Sequence, residues 1–163
     1  MRKSSAFLMP LLLLAPALAA QDVVRNKLAN SNFPIAASVE VPTGKTTVYL
    51  SGKVPSVINS DAPRGSLEAY GDTKAQTISV LNAIKADLEG LGLGMGDVVK
   101  MQAFLVGDPG KEGTMDFAGF MEGYSQFFGT EAQPNLPARS TMQVAGLVSP
   151  AFLVEIEVTA VRP

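Results

Sequence analysis

Arg139 and Glu155 are the two side chains best suited to chemistry in this sequence. A guanidinium presents a planar fork of N–H donors that fits a carboxylate, a match that the point charge of lysine cannot reproduce. A carboxylate within hydrogen-bond reach of a water molecule can polarise it for attack. The 163-residue chain has no histidine and no cysteine. That removes Ser-His-Asp and Cys-His catalysis and the usual zinc sites. Ser51 has no histidine base and reads as a hydroxyl at a strand end, not as a nucleophile. Plainer readings stand beside these: an arginine after proline is commonly a surface ion-pair partner, and Glu155, like Glu157, can simply face solvent.

The elements that must position the pair lie near the C-terminus. Pro137 favours an extended backbone, and Arg139 opens an alternating stretch that runs to Val144. In the closing run Phe152–Thr159, Val154, Ile156 and Val158 fall on one face, with Glu155 and Glu157 on the other. Turn-prone residues from Gly146 to Pro150 separate the two, which predicts a hairpin that brings Arg139 and Glu155 toward one pocket.

Earlier in the chain, Val23–Leu28 reads as a short edge strand, and Ala37–Val41 with Thr46–Ser51 as a hairpin that Gly52 ends. Lys53–Tyr70 has little periodicity and is expected to be a long surface loop. Asp72 is placed to cap a helix over Thr73–Leu91, with Ile78, Leu81, Ile84, Leu88 and Leu91 as its apolar stripe. The glycine-rich run Gly90–Gly96 leaves a helix and enters the strand Val98–Val106. A phosphate-binding loop runs the other way, from strand to helix, so this run is a helix stop and turn. Met115–Phe128 is a second helix whose Phe117, Phe120 and Tyr124, with Phe127 or Phe128, recur at core spacing. The order predicts an α+β domain in which two helices cover one face of a mostly antiparallel sheet. The other face is left to an association partner.

Arg2 and Lys3, the apolar stretch Ala6–Ala17 and the sequence Ala17-Leu18-Ala19 form the pattern of a secretory signal over residues 1–20, shorter than a membrane anchor needs. Residues 21–163 are then one exported domain, periplasmic or secreted, with no membrane attachment after cleavage. Losing two basic residues takes the net charge from −2 to −4. A mildly acidic domain is a poor match for nucleic acid, whose binding runs on lysine and arginine.

Several segments together resemble the RidA/YjgF family of enamine and imine deaminases. They are Tyr49-Leu50-Ser51-Gly52-Lys53-Val54-Pro55, Gly71-Asp72 with Ala75-Gln76-Thr77 and Leu81, and Asp97-Val98-Val99-Lys100 with Phe104-Leu105. Tyr124-Ser125-Gln126-Phe127-Phe128, Pro137-Ala138-Arg139-Ser140 and Val154-Glu155-Ile156-Glu157 complete the likeness, which spans about Ile35 to Val161. The resemblance implies a chorismate-mutase-like fold, a homotrimer with pockets between neighbouring subunits, and no metal or organic cofactor. It implies hydrolysis of 2-imino or 2-enamino acids to 2-keto acids and ammonia, with Arg139 holding the substrate carboxylate and Glu155 near the attacking water. Ser51 and Gly52 would steady the substrate. The chain departs from the family pattern at three pocket positions: Ala36-Ala37-Ser38 replaces Gly-Pro-Tyr, Met121 replaces a frequent asparagine, and Thr141 replaces a frequent cysteine. Those changes leave open a second reading, a trimer that binds a small carboxylate without turning it over.

Overall fold

The computed structural model describes residues 22–163, so the expected signal segment lies outside the described residues. The strands are β1 (Val24–Lys27), β2 (Ala36–Glu40), β3 (Thr47–Lys53), β4 (Val98–Val106), β5 (Ala138–Val144) and β6 (Val154–Val161). They form one sheet in the order β1-β2-β5-β4-β6-β3. The helices are α1 (Leu67–Tyr70), α2 (Thr73–Gly90) and α3 (Phe117–Tyr124). Three of the five strand pairings are antiparallel, and β5 runs parallel to both β2 and β4. The α+β expectation holds, and Val24–Lys27 is an edge strand as read.

Neither predicted hairpin forms. β4 separates β5 from β6, and β2 and β3 lie far apart in the sheet. Turn residues show where a chain reverses, but burial decides which neighbour it rejoins. β4 contributes the fully buried Met101, Ala103 and Leu105, and β6 the buried Val154, Ile156, Val158 and Ala160. These two strands carry the most apolar side chains beneath the helices, so they pair with each other. β3 and β4 both run antiparallel to β6 and are therefore parallel to one another. Helix α2 connects them, and β6 is inserted between them.

Helix α2 begins where Asp72 accepts a hydrogen bond from the Ala75 N–H at 2.8 Å. Its buried face carries Gln76, Thr77, Val80, Leu81, Ile84 and Leu88. Each fully buried aliphatic side chain there contributes roughly 1.5–3 kcal/mol. Leu91, expected in the stripe, lies beyond the last turn and is 43% exposed, and Ile78 is only half-buried. Gly92, at φ +70°, reverses the chain so that the Leu93 N–H reaches the Leu88 carbonyl at 2.8 Å. The glycine run is thus a helix stop.

Gln76 is buried but saturated. Its amide donates to the carbonyls of Gly71 (3.0 Å) and Ala151 (2.9 Å) and accepts from the Leu153 N–H at 2.7 Å. The start of α2 is thereby joined to the run entering β6.

Helix α3 is shorter than its apolar pattern suggested. Asp116 caps it through the Gly119 N–H at 3.2 Å, and it ends at Tyr124. Gly123 lets it lie against α2, because a Cβ there would meet the Thr77 side chain at 2.8 Å. The loop expected over Lys53–Tyr70 closes in the single turn of α1. At the other edge, Arg25 of β1 donates to the carbonyls of Gly96, Val98 and Leu136, each at 2.8 Å. That clamp fixes the entry into β5.

Candidate active site

Register assigns each candidate to a face. Arg139 stands opposite Met101 and Thr141 opposite Ala103. Met101 and Ala103 lie in the core beneath the helices, so Arg139 and Thr141 project into that same layer. Glu155 stands opposite Phe104, and Glu157 opposite Gln102, on the face that no helix covers. Tyr49 shares that face, paired with Thr159, and is 80% exposed. Arg139 and Glu155 therefore lie on opposite faces of the sheet, and the single pocket expected from a hairpin does not form within the chain. They are also three register positions apart along β4, about 10 Å at the rise of a strand.

The Arg139 guanidinium enters a cage built by α3 and the segment before β2. Its central carbon lies 4.3 Å from the Tyr124 ring centroid, 5.0 Å from Phe120, 5.5 Å from Phe33 and 6.0 Å from Phe117. Such contacts favour a cation, the more so where water is excluded. Nη2 donates to the Met121 Sδ at 3.2 Å. Among the described residues, the buried Nη1 has no hydrogen-bond partner, and neither has the buried Thr141 Oγ1. Burial holds the Arg139 pKa below its ordinary value, with Tyr124 offsetting part of the effect. A thioether is a weak acceptor. The fork thus keeps most of its capacity for an anion.

Tyr124 holds the cage together. Its hydroxyl donates to the Pro34 carbonyl at 2.9 Å, which secures the chain next to Phe33. Burial pushes its pKa up to about 12, against the pull of Arg139. The rings of Phe117, Phe120, Tyr124 and Phe128 follow one another along α3 and beyond it, with neighbouring centroids 4.9–6.1 Å apart.

The second group of candidates lies at the β3–β6 pairing. Leu50 pairs with Val158 and Lys53 with Ile156, so Ser51 and Gly52 together face the single residue Glu157. This is a β-bulge, a device that re-aims side chains. A Cβ on Gly52 would collide with the Glu155 carboxylate. Gly52 is what allows that carboxylate to lie against the bulged backbone, and Ser51 is exposed beside it.

The structure thus brings Arg139 together with Met121, and Glu155 with Gly52. Ser38 joins neither group; on β2 it is exposed and accepts from the Asn26 amide at 3.0 Å. Surface depressions of about 120 and 240 Å³ lie elsewhere, and neither is lined by Arg139 or Glu155. Sequence reasoning assigned the α3 aromatics to core alone and gave Phe33 no role. Phe33 lies in a polar, aperiodic stretch, and only its proximity to Arg139 reveals it.

The family described as Endoribonuclease L-PSP matches residues 29–162. The chain belongs to this family, the RidA/YjgF proteins. Over 137 residues it is 36% identical to the 2-iminobutanoate/2-iminopropanoate deaminase of Salmonella typhimurium, covering 83% of this chain and 96% of that protein. It is 36% identical over 115 residues to the putative reactive intermediate deaminase TdcF of Escherichia coli, covering 71% of this chain and 78% of the relative. The crystal structure of E. coli TdcF with bound serine superposes with a TM-score of 0.57 at 29% identity, over 88% of this chain and 99% of that one. The E. coli YjgF structure gives 0.56 at 33% identity, over 82% and 91%. The RidA/YjgF fold is therefore shared, and the relatives named as deaminases support a deaminase role.

Proposed function

We propose that the protein hydrolyses 2-imino and 2-enamino acids to 2-keto acids and ammonia, in a pocket formed between copies of the chain. The observation that carries this reading is the division of the site. An arginine with an unpartnered, buried Nη1 lies on one face of the sheet, and a carboxylate seated on a glycine bulge lies on the other. The two groups can meet only across subunits. The uncovered sheet face needs a partner in any case, and a homotrimer supplies a closed ring of equivalent interfaces.

The chemistry asks little of the protein. The Arg139 fork fixes the substrate carboxylate and with it the orientation of the C=N bond. The imine carbon is already electrophilic. Glu155 of the neighbouring copy accepts a hydrogen bond from water and holds it for attack at that carbon. Addition forms a carbinolamine; transfer of a proton to its nitrogen and loss of ammonia leave the 2-keto acid. Ser51 and the bulged backbone lie beside Glu155, where they can steady the adding oxygen. The names of the deaminase relatives, and the serine bound to TdcF, support a small amino-acid-like ligand.

Met121 favours a second reading, because a thioether gives the guanidinium a weaker companion than an amide would. The trimer would then capture a small carboxylate without turnover. One experiment separates the two. An amino-acid oxidase generates imines beside the purified protein, and release of ammonia and keto acid is timed against a protein-free control. Acceleration that is lost in Glu155→Gln supports the enzyme; carboxylate binding without acceleration supports the binder. We further assign the reaction to the periplasm or the cell exterior, from the signal pattern in residues 1–20. Intact mass of the exported chain should show a start near Ala20 or Gln21, and a full-length membrane-held chain would overturn this.

A further inference from the structure

We propose that Met121 is an oxidation site whose sulfoxide closes the carboxylate pocket by occupying Arg139. The inference rests on the reading of Arg139 as the carboxylate anchor. It starts from the side-chain hydrogen bond that the Arg139 Nη2 donates to the Met121 sulfur at 3.2 Å. Thioether sulfur is a weak acceptor, and the same guanidinium has a buried Nη1 with no acceptor. Oxidation changes that balance without moving the backbone. A sulfoxide oxygen is a strong acceptor, and it is created within reach of a cation short of partners. It then competes for the donors that a substrate carboxylate needs.

The step is a two-electron oxygen transfer from a hydroperoxide. A sulfur lone pair attacks one peroxide oxygen, forming the S–O bond and breaking the O–O bond. The proton on the transferred oxygen passes to the departing hydroxide, which leaves as water. Sulfur is oxidised and peroxide is reduced by the same two electrons. Met121 is partly exposed, whereas Met95 and Met101 are buried in the core. Met115 and Met142 are also partly exposed, but among the described residues it is the Met121 sulfur that accepts a hydrogen bond from a cation. The oxidant has a natural source. Oxidases that turn amino acids into imino acids with molecular oxygen release hydrogen peroxide, so the reaction class that supplies the substrate also supplies the modifier. Methionine sulfoxide reductases reverse the change.

The test treats the purified protein with graded hydrogen peroxide, maps sulfoxides by peptide mass, and titrates 2-oxobutanoate by calorimetry. Affinity should fall roughly tenfold or more as Met121 sulfoxide reaches full occupancy, as expected when a charge-assisted contact is lost. Reductase treatment should restore it. Met121→Leu, whatever its starting affinity, should show no further loss after the same peroxide dose. Unchanged binding at full Met121 oxidation, an equal loss in Met121→Leu, or a Met121 that resists peroxide in the folded protein would overturn the switch alone. No binding of 2-oxobutanoate before oxidation would overturn the carboxylate site, and the switch with it.

Discussion

The Arg139 guanidinium stacks 4.3 Å from the Tyr124 ring centroid, and the Tyr124 hydroxyl donates to the Pro34 carbonyl. The ring supports the cation through its face while its polar end ties down the Phe33 segment. One residue therefore holds two walls of the cage, and this has consequences at high pH.

Tyr124 keeps its proton to about pH 12 in the folded protein, because burial disfavours the phenolate. In the unfolded chain it titrates near 10. The folded state therefore binds more protons between those values, so this contribution to stability is complete below pH 10 and lost as pH rises to 12. The loss should approach about 2–3 kcal/mol. Urea unfolding from pH 9 to 12 measures it, and Tyr124→Phe should flatten the dependence. An equally steep fall in the variant would assign the effect to other groups.

Arg139 should matter for function and little for stability. A half-satisfied guanidinium in an aromatic cage is a costly burial, so Arg139→Met should unfold at or above the parent temperature. Loss of a charge-assisted contact, worth roughly 1.5–3 kcal/mol, should lower kcat/KM by at least about tenfold. Arg139→Lys should rescue poorly because it lacks the fork. A variant that folds and keeps parental turnover would remove Arg139 from the site.

Two inactive variants should complement each other. If each pocket takes Arg139 from one copy and Glu155 from the next, a trimer reassembled from equal parts Arg139→Ala and Glu155→Gln should regain about one quarter of the sites. Each variant alone should remain inactive. Activity no higher than that of the separate variants, with mixed trimers confirmed by native mass spectrometry, would argue against a shared pocket.

Gln76→Leu should destabilise the fold by about 2–4 kcal/mol, since it strands the Leu153 N–H and the Ala151 carbonyl in the interior. Leu153 lies two residues before Glu155, so kcat should also fall at temperatures where the variant is still folded. Thermal unfolding and turnover, measured together, separate the two effects.

Substrate preference should follow the altered wall. Imines of leucine or methionine should be processed better than 2-aminoacrylate, because Met121 offers the pocket an adaptable apolar surface. A fitted methylene contributes only about 1–3 kcal/mol, so the preference should be graded. Comparison of kcat/KM across oxidase-generated imines, with Met121→Asn and Ser38→Tyr alongside, tests this. Ser38 lies on β2, away from Arg139 within its own protomer, so its effect depends on what a neighbouring copy brings to that edge.

Much of the fold could be read locally. The Asp72 cap, the glycine stop after α2 and the limits of β4 follow from residues close in sequence, where capping and alternation act directly. Strand neighbours could not be read that way. The insertion of β6 between β3 and β4 is decided by which strands bury the most apolar surface, a competition among segments far apart in the chain. The same holds for the site. The chemistry of Arg139 and Glu155 is visible in their types, but their assignment to opposite faces depends on register. Phe33 is invisible until folding brings it to the guanidinium.

The inserted strand also sets a timetable. β3 has one neighbour in the sheet, and that neighbour is β6, which follows the other five strands in the chain. While the chain is being made, β4 and β5 can pair, but β3 must wait with its ladder open until β6 arrives. The bulge at Ser51 and Gly52, and the seat it makes for Glu155, come into being only in that final event. A chain cut short before Val154 would therefore lack more than one strand: it would carry an exposed, unclosed edge and belong to the aggregation-prone class of incomplete sheets.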